Sequence, residues 1–311
     1  MQGLIASTTI PSKRVDVRLS EAGRFASKST VSASLNKRQT VDSPLSKRIV
    51  AYVVSRQNND GGYAFAQGLD SNAQDTYYGL AVLSILCSLF PHLDRTIGWL
   101  RDFDVGSIYS YYYIGKALTL CNKPLGSRFR GYVESAVGSG KYFGNVDVYV
   151  EVSSEFESTL MFLELASILK MSPEGEEARR WLLRYRNKDG GFGAYGHSNI
   201  DSTYHAIASL SLLKANRMDL NDTVRFVREC EQSHGGFTVV ARSVTPFMEH
   251  TYCGVKALDL LGESCRFPSQ TMDFVLKCQR RNGGFARSDL GISTFENTFQ
   301  AVNVLRTLGF L

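Results

Sequence analysis

The chain has 311 residues, more than the roughly 100 to 200 that usually form one domain, so it contains two domains or one large unit built from repeats. Hydrophobic residues make up 43% and charged residues 21% of the chain, an ordinary globular composition that excludes wholesale disorder and collagen-like structure. The longest nearly uninterrupted apolar stretch, residues 79–90, is well short of the roughly 20 residues that a membrane-crossing helix needs. We therefore expect no membrane span.

The first 45 residues form a basic, Ser-rich arm. The arm contains seven Lys or Arg and three Asp or Glu residues, so it carries +4 of the total formal charge of +5. It shows neither a long periodic pattern nor an apolar core, and we expect it to be disordered or weakly helical. An organelle-targeting role for the arm stays open, but its acidic residues and the lack of a visible secretory signal favour a cytoplasmic protein.

The rest of the chain, residues 46–311, carries a net charge of only +1. Proteins that bind nucleic acids usually present a basic surface, so this near-neutral charge argues against that class. All six cysteines lie in this part and none forms a Cys-x-x-Cys pair. The spacing favours reduced thiols over a disulfide framework.

A phrase ending in Gly-Gly-aromatic recurs along residues 46–311. Its copies are Gln57-Asn-Asn-Asp-Gly-Gly-Tyr63, Arg186-Asn-Lys-Asp-Gly-Gly-Phe192, Glu231-Gln-Ser-His-Gly-Gly-Phe237 and Gln279-Arg-Arg-Asn-Gly-Gly-Phe285. A helical pattern precedes each copy, and a second, more apolar pattern follows about ten residues later. A glycine just past a helix end can adopt the left-handed conformation that satisfies the last carbonyls, and the aromatic residue can then enter the core. We interpret the phrase as a structural turn between two helices.

The second helical segments align with one another. Four strong copies begin Gln74-Asp-Thr-Tyr, Asp201-Ser-Thr-Tyr, Glu249-His-Thr-Tyr and Glu296-Asn-Thr-Phe, and two weaker copies lie around residues 109–120 and 157–169. The count is six helix pairs of about 44 residues each. Pairs that bury one helix and leave the other outside can close into a ring, so residues 46–311 are predicted to form one domain.

The helix, the Gln-x-x-Asp-Gly-Gly-Phe turn and the helix opening with Asp-x-Thr-Tyr together resemble the prenyltransferase and squalene-oxidase repeat. This repeat occurs in protein prenyltransferase β subunits and in terpene cyclases. The resemblance implies an all-α fold, an (α/α)6 toroid of six helix-hairpin repeats with a central cavity that takes an isoprenoid. It also implies a separate helical α-type partner subunit, as in the protein prenyltransferases. Different reactions share this scaffold, so the resemblance predicts the fold more strongly than the reaction.

The predicted starts of the inner helices are rich in aromatic residues, which would line such a cavity. The candidates for binding the isoprenoid are Tyr77, Tyr78, Tyr112, Tyr204, Tyr252 and Phe299. Aromatic faces attract cations by about 2 kcal/mol when desolvated, and so would stabilise a developing carbocation. The alternative is that these rings fill the core between helices. The run Tyr109-Ser-Tyr-Tyr-Tyr113 cannot all point one way on a helix, so only part of it can face the centre.

In the protein prenyltransferases that the chain resembles, an Asp, a Cys and a His bind zinc. The matching positions here are Asp201, Thr203 and His250. A hydroxyl replaces the soft sulfur ligand, and the two remaining donors would make a weaker site than the usual three protein ligands. Zinc is a candidate cofactor, and Asp201 and His250 are candidate catalytic residues. The alternative is that Asp201 caps its helix and His250 is a polar residue at the cavity rim.

The resemblance also implies an Arg and a Lys that bind the diphosphate, but Tyr195 and Ser198 stand at those positions. Arg242 and Arg287 remain as candidate partners, because guanidinium groups and helix starts both favour phosphate. The alternative is that both are solvated loop cations.

Terpene cyclases of the related branch protonate an alkene with the middle Asp of Asp-x-Asp-Asp, and no such run occurs in this chain. An acid for that reaction would need a carboxyl group that burial keeps neutral. The inner-helix candidates are Asp75, Asp201, Glu249 and Glu296. Their alternative role is to compensate the helix dipole.

We therefore predict a prenyltransferase-like enzyme that acts on a polyprenyl diphosphate in a central aromatic cavity, by prenyl transfer or terpene cyclisation. The alternative is a non-catalytic toroid that has lost the zinc and diphosphate residues and binds a lipid, an isoprenoid or a protein partner.

Overall fold

The computed structural model describes residues 43–140, 142–144, 154–171, 175–214 and 220–311. The predicted arm lies outside the described residues, except for residues 43–45. These lead into the first helix, where the Ser43 hydroxyl accepts the N–H of Ser46 and Pro44 follows at the first helical position, both common at helix starts. None of the described helices has the length and hydropathy needed to cross a lipid bilayer.

Within the described residues, the chain forms twelve α-helices in six consecutive pairs. The first helix of each pair is the outer one, and these are α1 Pro44–Val54, α3 Leu93–Asp102, α5 Ser127–Gly138, α7 Gly175–Arg184, α9 Asn221–Glu229 and α11 Pro268–Lys277. The inner helices are α2 Ala73–Ile85, α4 Ile108–Leu120, α6 Glu155–Ile168, α8 Ile200–Leu212, α10 Met248–Leu260 and α12 Phe295–Thr307. One two-stranded hairpin, β1 Phe285–Ala286 and β2 Ser293–Thr294, pairs antiparallel before α12.

The inner helices form a closed ring. Each packs against the next along the chain, and α12 packs against α2. Ten of the 13 residues of α2 are buried, whereas only Thr96, Ile97 and Leu100 are buried in the outer helix α3. A helix that is buried on nearly all sides belongs to the interior, and one with a single buried stripe belongs to the surface. These contacts confirm the predicted all-α (α/α)6 toroid. Its buried hydrophobic residues form one large cluster and a smaller one around Trp181 and Phe192.

The Gly-Gly-aromatic phrases are the turns that the sequence predicts. Their first glycines, Gly61, Gly190, Gly235 and Gly283, have φ between 90° and 105°. At Gly190 a Cβ atom would lie 2.2 Å from the carbonyl carbon of Asp222 in α9, so the turn needs glycine both for its conformation and for this close approach. The aromatic residue after each glycine pair is fully buried.

The same turn joins the last repeat to the first and so closes the ring. A Cβ atom on Gly283 would lie 2.2 Å from the carbonyl oxygen of Arg48 in α1, and the Arg48 guanidinium donates to the carbonyl of Arg280 at 3.3 Å. The rings of Tyr52 in α1 and Phe295 in α12 lie 5.6 Å apart. We call this contact between the first and last helix pairs the seam.

Candidate functional site

The centre of the ring is hollow at the end where all six inner helices begin. A cavity of about 730 Å³ opens there, and residues from the first turn of every inner helix line it. A smaller cavity of about 90 Å³ lies one to two helical turns deeper. We call these the mouth and the floor. They adjoin, because five residues line both: Tyr78, Glu157, His205, Tyr252 and Gln300.

The wall of the mouth is acidic. Its carboxyl groups come from Asp75, Glu157, Asp201, Glu249 and Glu296. Of the described residues that line the mouth, Arg287 is the only Lys or Arg. The positive ends of six helix dipoles also meet here and offset part of the negative charge.

Crowding changes the protonation of Glu296. Burial is the main cause that raises its pKa from 4.5 to about 7, and the neighbouring carboxylates of Glu157, Glu249 and Asp75 add to the effect. Its Oε1 atom accepts a hydrogen bond from the Gln300 amide at 3.3 Å. Glu296 therefore changes its protonation close to neutral pH, at the edge of the aromatic part of the cavity.

Asp75 lies in a different setting although burial also raises its pKa. Its carboxylate accepts the N–H of Phe65 at 2.9 Å and the side-chain amide of Asn72 at 2.8 Å. These bonds tie the loop before α2 to the start of that helix. Asn72, rather than Asp75, is the N-cap of α2. The structure thus gives Asp75 a local structural role.

Asp201 and His250 do meet at the mouth. The His250 ring nitrogen Nδ1 lies 3.0 Å from the Asp201 Oδ1 atom. Burial works to raise the pKa of Asp201, but the hydrogen bond and charge of His250 outweigh it, so the pKa is lowered. Asp201 is therefore a poorer proton donor than Glu296. The predicted catalytic role of the two residues stays a prediction.

Thr203 does not complete a zinc site with them. Its hydroxyl accepts the N–H of Phe192 at 2.9 Å and donates to the carbonyl of Asn199 at 2.6 Å. The same bond to the aromatic of the turn recurs at Thr76, Thr251 and Thr298. Thr203 thus repeats a structural position, and among the described residues no group of three His, Cys, Asp or Glu is placed to hold a metal. Thr203 therefore does not supply the missing ligand, and zinc binding at the mouth stays a prediction.

We expect Thr203→Val to lower the free energy of unfolding by about 1–3 kcal/mol, because the buried N–H of Phe192 loses its acceptor. Urea denaturation measures this change. Thr119→Val is the matched control, since Thr119 is exposed on α4 and an exposed substitution should stay within about 0.5 kcal/mol. If Thr203→Val is as stable as the native protein but loses bound zinc, Thr203 would be a zinc ligand after all.

The predicted aromatic residues all line the floor: Tyr77, Tyr78, Tyr112, Tyr204, Tyr252 and Phe299. Their rings lie close together, with Tyr78 and Phe299 4.9 Å apart and Tyr204 and Tyr252 5.6 Å apart. Tyr111 instead stacks outward on Tyr132 at 4.1 Å, so only part of the tyrosine run faces the centre, as expected. A role of these rings in binding stays a prediction.

The two predicted arginines lie in different places. Arg287 lines the mouth, where its Nε atom is 2.5 Å from Glu249 Oε1 and its guanidinium lies 4.1 Å from the centre of the Phe247 ring. Arg242 is an exposed loop residue with φ 67° and does not line either cavity. The two lie apart, and a role of either arginine in binding a diphosphate stays a prediction.

The floor also holds a charged pair that was not predicted from the sequence. Lys116 Nζ in α4 lies 2.5 Å from Glu164 Oε2 in α6, and the Tyr112 hydroxyl donates to the same oxygen at 2.8 Å. Burial opposes both charges, but their mutual attraction outweighs it, so the pKa of Lys116 is raised and that of Glu164 lowered. The available signal was that Lys116 is the one charged residue of α4 and Glu164 the one charged residue of α6 beyond its first turn.

The comparison with protein families agrees with this architecture. The family model of the prenyltransferase alpha-alpha toroid domain matches residues 7–106 and 151–310. Among solved structures, the chain is similar to Candida albicans protein geranylgeranyltransferase-I complexed with GGPP, with 15% sequence identity and a TM-score of 0.43, covering 76% of this chain and 90% of that one. No curated protein sequence matches the chain. Because the family model spans well over half of its residues, the chain belongs to the prenyltransferase alpha-alpha toroid domain family.

Proposed function

We propose that the protein binds an isoprenoid in the central cavity and converts it through a carbocation, as an enzyme of the prenyltransferase and terpene-cyclase type. One observation carries the proposal: an aromatic floor adjoins a mouth lined by five carboxyl groups. Aromatic faces and carboxylates both attract positive charge. Such a cavity favours a transition state in which positive charge develops on the bound hydrocarbon.

The charge of the mouth favours cyclisation started by protonation over ionisation of a diphosphate. A diphosphate carries several negative charges, and the carboxylates there would repel it. The helix starts offset this only in part, and Arg287 is already paired with Glu249. A polyprenyl diphosphate is therefore a less favoured substrate than an isoprenoid without a diphosphate group.

Glu296 is the residue that we propose as the acid. A catalytic acid works best when its pKa lies near the operating pH, and the pKa of Glu296 is raised to about 7. Its proton would pass to a terminal alkene carbon, the π electrons would form the new C–H bond, and the neighbouring carbon would become the cation. The carboxylate left behind lies next to that charge, and a proton lost from the product cation restores the acid.

The test is incubation of the purified protein with labelled squalene, farnesyl diphosphate and geranylgeranyl diphosphate, with and without zinc. We expect saturable binding and a cyclised hydrocarbon or alcohol among the products. Glu296→Gln should lower kcat at least about 100-fold, since general acid catalysis contributes that much or more, while binding changes little. Glu134→Gln, on the exposed face of α5, is the control. No saturable binding of any isoprenoid would contradict the proposal.

A second candidate is a non-catalytic toroid that binds an isoprenoid or another lipid. Two observations favour it: the hydroxyl of Thr203 is taken up by the backbone, and Arg242 lies away from the cavity. Saturable binding without any product in the same assay would support this candidate over the enzyme.

A helical α-type partner subunit also stays a proposal. The loops that lead into the inner helices α8 and α12 carry exposed apolar side chains, with Tyr195 98% and Leu290 90% exposed. A partner on these loops would bury them. Sedimentation of the chain alone and with a candidate helical subunit would detect such a complex, and full activity of the chain alone would count against it.

A further inference from the structure

We propose that the floor recognises a polar group at the far end of the ligand, so that the preferred isoprenoid carries an oxygen on its tail instead of ending in hydrocarbon. The inference rests on the proposed function in one respect, that the ligand is an isoprenoid. It concerns the end that enters the cavity first, away from the acidic mouth.

The Lys116–Glu164 pair supplies the charge for this recognition. The two side chains keep 24% and 28% of their surface accessible, and both line the floor. The Lys116 Nζ atom also lies 5.3 Å and 5.0 Å from the ring centres of Tyr77 and Tyr112. A cation and a carboxylate are thus both presented to whatever occupies this space.

Neutral hydrogen-bonding groups also line the floor. The hydroxyls of Tyr78 and Tyr113 lie 3.1 Å apart, and those of Tyr204 and Tyr252 lie 3.4 Å apart. In such a pair one hydroxyl donates to the other, and the acceptor keeps its own hydrogen available. His205 lines both cavities, and its buried Nδ1 atom has no hydrogen-bond partner among the described residues. The floor therefore has spare donors and an unsatisfied ring nitrogen.

This arrangement discriminates between tails. A hydrocarbon end would displace water from the ammonium, the carboxylate and the hydroxyls without replacing their hydrogen bonds, which is unfavourable for buried polar groups. A hydroxyl or carbonyl oxygen could accept from Lys116 or a tyrosine and so replace them. The floor, at about 90 Å³, holds a group the size of a few water molecules.

Stability alone gives no reason for the pair. Buried ion pairs of this kind are often replaceable by apolar residues of similar size without loss of stability. In a cavity meant for a hydrocarbon tail, apolar side chains at these two positions would serve both stability and binding. Binding of a polar tail gives the charges a function.

The experiment titrates the full chain with two ligands that differ only at the tail, geranylgeraniol and the hydrocarbon in which hydrogen replaces its hydroxyl group. The hydroxyl end is the tail, so the terminal alkene at the other end stays near Glu296 in the mouth. We expect geranylgeraniol to bind at least about tenfold more tightly, as one hydrogen bond to a charged group allows. In Lys116→Met/Glu164→Met this preference should vanish, with the hydrocarbon binding as well as or better than before. Asp222→Asn/Arg225→Met, which neutralises the exposed pair on α9, is the matched control and should keep the preference.

Tyr112→Phe provides a second variant if the double replacement fails to fold. It removes only the hydroxyl that donates to Glu164, and it should weaken the preference several-fold. Equal affinity of the native protein for geranylgeraniol and the hydrocarbon would overturn the inference and leave the proposed function standing. A preference that persists in both variants would overturn the assignment to the pair. If neither ligand binds, the proposed function fails and the inference fails with it.

Discussion

Lys116→Met alone is expected to lower the free energy of unfolding by about 3 kcal/mol, the lower end of the range for breaking a buried ion pair. The carboxylate of Glu164 accepts hydrogen bonds from Lys116 and from the Tyr112 hydroxyl. In the variant, only the Tyr112 hydroxyl of these two donors would remain. Because both side chains keep about a quarter of their surface accessible to the cavity, water can reduce the cost, which places the effect at the lower end. Urea denaturation at neutral pH measures the change.

The double replacement Lys116→Met/Glu164→Met separates loss of the pair from loss of one partner. With both charges gone, no uncompensated charge remains, and we expect a free energy of unfolding within about 1 kcal/mol of the native value or above it. The single changes should therefore be strongly non-additive, with a coupling of about 2 kcal/mol or more. A double variant whose loss equals the sum of the two single losses would show that the pair contributes only through packing.

The second large effect is a fall in stability as pH rises from about 5 to about 8. The folded protein keeps a proton on Glu296 up to a pKa of about 7, whereas the ordinary value is 4.5. Between these values the folded state binds a proton that the unfolded state has released, so the free energy of unfolding decreases with rising pH. A shift of this size corresponds to at most about 3 kcal/mol. Thermal unfolding at several pH values gives the slope.

Glu296→Gln tests the origin of that slope. The amide has nearly the same shape and carries no charge, so the variant should lose most of the pH dependence and be more stable than the native protein at about pH 8. Glu134→Gln, at the exposed position on α5, should keep the native slope. A slope that persists in Glu296→Gln would assign it to another group, such as Asp75, whose pKa burial also raises.

The fold was predictable because the signals that define it are local and repeated. A turn such as Gly190-Gly191-Phe192 requires glycine for its conformation and an aromatic residue for the core, and each copy predicts the same local structure. Repetition of this unit at a nearly constant spacing predicts stacked hairpins. The placement of the tyrosines around one centre follows from the inner position of their helices.

The site was less predictable, for two reasons. The first concerns Thr203, whose spacing matches a metal-binding position. In the structure its hydroxyl accepts the N–H of Phe192. Spacing alone therefore cannot distinguish a metal ligand from a hydroxyl with a structural role. The second concerns Lys116 and Glu164, which lie 48 residues apart on neighbouring helices. Their apolar surroundings dominate any periodic pattern, and Lys116 lies outside the residues that the family model matches.

The seam also determines how the protein should melt. A linear stack of helical hairpins has two end units with one neighbour each, and these can fray while the middle stays folded. Here α12 lies against α2, and the turn at Gly283 lies against Arg48, so every hairpin has two neighbours. Unfolding any one hairpin exposes two interfaces at once, and the whole circle should therefore come apart in a single cooperative transition.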